Sequence, residues 1–208
     1  IDEKSDFYAS AIRLKGEKVE FKVNRKFDFA LSTLGYYNIY NALGAISVCR
    51  ILGLGYPEIA ARLSNFKFPN GRLNLIEYKG LRFIDDTYNS NPSSFKAALM
   101  ALGAVKCKGK KILIMGDMLE LGKQKELLHR QIARSITNTC DLLVAVGSLS
   151  RLTAQAAGDG GFERKNIFYC DSALEARDLL FKKILPSASD LILVKGSRSM
   201  KMEEVLEV

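Results

Sequence analysis

The chain has 208 residues, of which 48% are hydrophobic, enough for one large domain or two small ones with real cores. No apolar run approaches the roughly 20 residues needed to cross a bilayer, and Ile1-Asp2-Glu3-Lys4 is neither a signal peptide nor a natural start, so the expectation is a chain that begins inside a longer protein. The net charge of +8 is spread along the whole sequence, which favours a solvated surface or a small anionic substrate over nucleic acid.

In chain order, residues 11 to 34 alternate in the manner of strands: Ile12 and Leu14, then Val19, Phe21 and Val23, then Phe27, Phe29 and Leu31. A small antiparallel meander is expected there. From Asn38 the period becomes helical, with Ala42, Ala45, Ile46 and Cys49 on one stripe that stops at Gly53-Leu54-Gly55. Pro57 then opens a second helix carrying Ile59 and Leu63, and the stretch Asn65 to Arg72, with Pro69 and Gly71, ends it. The domain boundary is placed there, giving residues 1–68 and 69–208.

Beyond the boundary, strand and helix alternate. Strands are expected at Leu73 to Tyr78, Leu81 to Ile84, Lys111 to Met115, Leu142 to Val146, Ile167 to Tyr169 and Leu191 to Val194. Helices are expected near Ser93 to Ala104, Gln124 to Asn138, Leu149 to Ala157 and Ala173 to Leu185. The order predicts an α/β fold: a Rossmann-like, mostly parallel sheet with helices on both faces, preceded by antiparallel strands and helices. Parallel strands deliver their C-terminal ends to one edge, so the polar loops Asp85 to Ser94, Gly116 to Gly122, Gly147-Ser148, Asp171-Ser172 and Lys195 to Ser199 should meet there.

Asp85 and Asp86 are adjacent at a strand end, so their side chains leave on opposite sides and cannot form a carboxylate dyad. One can face a ligand while the other braces a loop; the competing reading is that Ser93 or Ser94 caps the helix and the acids merely precede it. Lys195 and Arg198, flanking Gly196, have the chemistry to hold a carboxylate or phosphate, against the plainer reading of a basic turn. His129 is the only histidine and lies beside the stripe Leu128-Ile132-Ile136, where a structural role is the commoner one. Cys49, Cys107, Cys140 and Cys170 are isolated, without CxxC spacing, and read as reduced thiols; no metal site is expected. Neither GxxxxGK[ST] nor a helix-opening GxGxxG occurs, so the chain holds no phosphate cradle of its own.

Taken together, Gly35 to Leu43, Asn70-Gly71-Arg72, Asp85 to Pro92, Gly116-Asp117-Met118-Leu119-Glu120-Leu121-Gly122, His129 and Val194 to Met200 resemble the Mur ligases. Within that family they are similar to the branch that joins D-alanyl-D-alanine to a UDP-N-acetylmuramoyl-tripeptide. The resemblance implies an N-terminal domain for the UDP-sugar, a central ATPase domain with a P-loop and a C-terminal Rossmann-like domain. Residues 1–68 would be the end of the central domain and 69–208 the C-terminal one, so the missing cradle follows from truncation.

The resemblance also implies a reaction. ATP activates the tripeptide carboxylate as an acyl phosphate, and the dipeptide amine then attacks it, with ATP and Mg²⁺ as cofactors and the ion held mainly by the part of the central domain that is absent. By positional match, Asn38 and Asn41 would lie against the adenine end of ATP. Arg72 would reach phosphates, and Asp86 the ribose. Tyr88, Asn89, Asn91, Lys195, Ser197 and Arg198 would line the dipeptide or acyl-phosphate side, with Arg72 and Lys195 as the catalytic candidates. The family commonly has His where this chain has Tyr37, which is neutral at pH 7. The expectation is a cytoplasmic, monomeric peptide-ligase fragment, inactive alone, without nucleic-acid partner or membrane insertion. The alternatives are another Mur-type or folylpolyglutamate-synthetase-like ligase, separable by exchanging the amine substrate, and a non-catalytic nucleotide-binding module.

Overall fold

The computed structural model describes residues 5–206; the run Ile1 to Lys4, which carried the expectation of an internal start, lies outside them. The chain divides into two compact units, the first ending at Pro69 and the second starting at Asn70.

In the first unit, β1 (Ala9–Lys15), β2 (Lys18–Val23) and β3 (Phe27–Leu31) form an antiparallel sheet in the order β1-β2-β3. The alternation seen in the sequence sets the buried face: Val19 pairs with Leu31 and Phe21 with Phe29, and all four are buried. The first strand starts earlier than expected and carries a bulge between Ser10 and Arg13, where Ala11 adopts a φ of 50°. Helices α1 (Asn38–Ile51) and α2 (Tyr56–Ser64) close the core with Ile39, Ala42, Ile46 and Ile59. One detail of the expected stripe fails: Ala45 is exposed, because the inward row runs through Asn38, Ile39, Ala42 and Ile46 instead.

The second unit holds a six-stranded sheet in the order β4-β5-β9-β6-β7-β8. Its strands are β4 (Asn74–Tyr78), β5 (Leu81–Asp86), β6 (Lys111–Gly116), β7 (Leu142–Val146), β8 (Ile167–Cys170) and β9 (Leu191–Lys195). Only β4 is antiparallel to its neighbour. The near-continuous apolar runs of β6, β7 and β9 match strands covered on both faces. One face, bearing Phe83, Ile112, Ile114, Val144, Ile192 and Val194, packs against α6 (Ala173–Leu179) and the terminal residues Met202 and Val205. The other, with Ile84, Leu113, Leu143 and Leu193 side by side in register, is covered by α3 (Pro92–Ala104), α4 (Lys125–Ile136) and α5 (Ser148–Asp159).

The helix expected from Ala173 to Leu185 changes character midway. After Leu179 the backbone widens to a π turn over Leu180–Ile184 and ends at Leu185, in the left-handed region before Pro186. Leu180 stays fully buried there. No glycine or proline inside the segment signals this change.

Candidate functional site

The β9 strand is last in sequence yet lies between β5 and β6. The connections after β5, β6 and β7 run over one face, whereas the return from β8 to β9 uses the other, so the chain switches direction beside β9. Open parallel sheets bind ligands in the crevice that such a switch opens beyond the C-terminal strand ends. The loops after β5, β9 and β6 meet at that edge and are bonded to one another.

Register accounts for the first contact. Asp86 and Lys195 are paired residues of neighbouring parallel strands and point to the same face. Lys195 Nζ lies 2.6 Å from Asp86 Oδ2 and 2.9 Å from the Asn89 carbonyl oxygen. Both partners are buried, Lys195 to 1% exposure. Burial pushes the Asp86 carboxyl up and the Lys195 ammonium down, each shift only partly opposed by the attraction between them. Lys195 is therefore a buried counter-ion and loop brace in this structure, and an incoming anion would meet it already paired.

Asp85 points the other way, as period-two geometry requires. It accepts from the Gly71 N–H at 3.0 Å and from the Thr87 N–H and hydroxyl at 3.2 and 2.7 Å. The remaining oxygen of Asp86 accepts from the Leu73 N–H at 3.2 Å, and the Tyr88 N–H donates to the Gly71 carbonyl at 3.1 Å. The two acids thereby stitch residues 71–73 onto the strand end. Gly71 is required at the seam: its φ is +74° and a Cβ there would meet the Tyr88 nitrogen at 2.8 Å. The stitching places the Arg72 guanidinium 3.9 Å from the centre of the Tyr88 ring, a cation–π contact at the rim of the crevice. Tyr88 is thus in contact with Arg72, a role for it that the sequence reading did not include.

Ser197 joins the third loop. Its N–H donates to the Asp117 carbonyl at 3.0 Å, its Oγ accepts from the Leu119 N–H at 2.8 Å, and its hydroxyl faces the Ser90 carbonyl at 3.4 Å. The close approach of Gly116 and Gly196 permits this, since a Cβ on Gly196 would meet the Gly116 Cα at 3.1 Å. Asp117 in turn caps α5, accepting from the N–H groups of Leu149 and Ser150 and from the Ser150 hydroxyl. The Ser90 hydroxyl is buried without a hydrogen-bond partner.

Other expected site residues are placed differently. Asn91 is the N-cap of α3: its side chain accepts from the Ser94 N–H at 2.8 Å while the Ser94 hydroxyl accepts from the Asn91 N–H at 3.1 Å. The cap of α3 is therefore Asn91 and neither Ser93 nor Ser94, and the two acids do more than precede it, since both hold residues 71–73. Asn89 is exposed and bonds its own loop through Ser90. Arg198 forms an ion pair with Glu203 at 3.0 Å. Asn38 and Asn41 belong to the first unit, where Asn38 is buried, donating to Thr33 and accepting from Asn41. Thr87, Ser90 and Asp117 lie in the loops expected at this edge, but the sequence assigned none of them a role, because the partners they take are set by tertiary contacts.

A mostly parallel α/β sheet with a switch-point crevice, braced by a buried Lys–Asp pair and rimmed by an arginine, defines an open α/β domain of the kind that takes ligands at its C-terminal strand edge. The family model described as the Mur ligase glutamate ligase domain matches residues 71–198, and the chain belongs to the Mur ligase family. It is 36% identical over 182 residues to the UDP-N-acetylmuramoyl-tripeptide–D-alanyl-D-alanine ligase of Bacillus subtilis, covering 86% of this chain and 39% of that protein. Identity to the Escherichia coli ligase of the same name is 34% over 207 residues, covering 97% of this chain and 44% of that protein. The crystal structure of MurF from Acinetobacter baumannii superposes with a TM-score of 0.85 at 30% identity, over 98% of this chain and 45% of that one. The chain thus spans less than half the length of these relatives. Among the described residues no helix is long and apolar enough to cross a membrane.

Proposed function

We propose that the chain is part of an ATP-dependent peptide ligase that adds D-alanyl-D-alanine to a UDP-N-acetylmuramoyl-tripeptide, a cytoplasmic step in peptidoglycan precursor synthesis. Residues 1–68 are the end of its central ATP-binding domain and 69–208 its C-terminal domain. The tripeptide carboxylate attacks the γ-phosphorus of ATP, releasing ADP. The dipeptide amine then adds to the carbonyl carbon of the acyl phosphate, and the tetrahedral intermediate expels phosphate. The observation that carries this reading is the joining of the β5, β9 and β6 loops at one sheet edge, with Arg72 held on Tyr88 at its rim.

In that reaction the chain's own groups orient and neutralise. Arg72 meets the ATP phosphates, for which a guanidinium fork is the suitable donor. The buried Lys195–Asp86 pair keeps the crevice walls in place, and the loops bearing Ser90 and Ser197 face the amine substrate. Arg72 is the group fit for the ATP phosphates, and Mg²⁺, which would neutralise phosphate charge, would be held mainly by the remainder of the central domain.

The purified chain should bind ATP weakly and turn none over; ATP-dependent ligation by the chain alone would sink the expectation of inactivity and leave the ligase reading standing. In the protein extended to the length of its relatives, Arg72→Ala should lower kcat/KM for ATP by about 10- to 100-fold, the worth of one or two charge-assisted bonds. An unchanged value would remove Arg72 from the phosphate role.

A further inference from the structure

We propose that His129 is a positioning residue that sets the Ser197 side of the crevice through the backbone of Met118 and Leu119. The substrate part of the proposal rests on the ligase reading above; the loop part does not. His129 is fully buried on α4, so it touches no substrate. Its Nδ1 lies 2.7 Å from the Lys125 carbonyl oxygen, which can only accept, so the proton sits on Nδ1. That tautomer leaves Nε2 as an acceptor, and it receives the Met118 N–H at 3.0 Å. The residues on either side of Met118 hold Ser197: the Asp117 carbonyl accepts its N–H and the Leu119 N–H donates to its hydroxyl oxygen.

The geometry gives the Ser197 hydroxyl a defined direction. Its oxygen already accepts from Leu119, and its proton is left to the Ser90 carbonyl at a long 3.4 Å or to a ligand at the crevice. The loop has two anchors, Asp117 on the start of α5 and His129 on α4. A leucine or phenylalanine would fill the same apolar stripe as well as histidine does. What neither supplies is an acceptor for the buried Met118 N–H. The Thr153 hydroxyl, donating to the His129 carbonyl at 2.9 Å, ties the same turn of α4 to α5.

The test compares His129→Phe, which keeps a ring but no acceptor, with His129→Gln, whose side-chain oxygen can take the Nε2 place. In the 208-residue chain, amide hydrogen exchange at Met118 and Leu119 should quicken by about tenfold or more in the Phe variant, beyond any change at the β7 amides that report on the whole unit. The Gln variant should return to within about threefold of the parent. In the protein extended to the length of its relatives, the Phe variant should raise KM for D-alanyl-D-alanine by about tenfold with KM for ATP unchanged, and Gln should restore it. Unchanged exchange at Met118 and Leu119, equal quickening everywhere, or a failure of Gln to rescue would overturn the proposal. So would a quickened loop with an unmoved dipeptide KM. Absence of dipeptide ligation by the unsubstituted full-length protein would overturn the ligase reading instead, and the exchange pattern would still decide whether His129 holds the loop.

Discussion

Lys195 and Asp86 meet at 2.6 Å with almost no solvent contact, and such a pair matters most through what happens when half of it is removed. Lys195→Met would strand a buried carboxylate and should cost about 3–5 kcal/mol. Adding Asp86→Asn, which keeps an acceptor for the Leu73 N–H, should recover more than half of that in urea denaturation. A double variant no more stable than the single one would show that the Lys195 bond to the Asn89 carbonyl dominates. His129 offers a second residue-level test. Burial lowers its pKa from the ordinary value of 6.5, outweighing its bond to the Lys125 carbonyl and the nearby Asp117. The unfolded chain then binds the imidazole proton more readily, so stability should be level above about pH 6.5 and fall as pH drops below it. Asp86, whose carboxyl is pushed upward, contributes the opposite slope in the acid range. Subtracting the urea-denaturation profile of His129→Gln isolates the imidazole, and a zero difference between pH 7.5 and 5.5 would refute the assignment.

Among the elements, β9 matters most because its position brings two neighbouring loops onto its own. Its end has no room for a side chain at Gly196, where a Cβ would lie 2.5 Å from Met202 Cγ and 3.1 Å from the Gly116 Cα. Met202 is fully buried and cannot swing outward without opening the α6 face. Gly196→Ala should therefore destabilise the second unit by about 1–3 kcal/mol, the usual cost of overpacking, measured as a lowered urea midpoint. At the other end of the crevice, α3 starts with Asn91, Pro92 and Ser94 in a capping box. That pattern was legible in the sequence as cap, first-turn proline and reciprocal serine. It was passed over because Asn91 also looked like a donor to a ligand.

At the scale of the whole molecule, the second unit has its own sheet, its own two-faced core and every bond described for the crevice. Residues 70–208 expressed alone should therefore fold, with a single cooperative thermal transition and native far-UV dichroism. A non-cooperative melt would show that the first unit is needed for the fold. The buried thiols bear on handling of such material: burial pushes Cys140 up to about 12 and Cys170 up to about 11, so both stay protonated and poorly nucleophilic.

The strands and helices of the second unit were readable because their apolar runs, periods and lengths are local properties, and a parallel sheet follows from their alternation. The divergence of Asp85 and Asp86 was readable for the same reason, since side chains of adjacent strand residues always part. The partner each acid takes was not local. Lys195 lies 109 positions from Asp86, and they meet only because the last strand inserts beside β5. The sequence by itself determined which residues could form the crevice and which family they resemble. Only the tertiary structure decided that Lys195 is paired and buried, that Tyr88 touches Arg72, and that His129 reaches Ser197 through two backbone amides. Those outcomes depend on strand order and on where buried polar groups find partners, and neither is written in the spacing of residues along the chain.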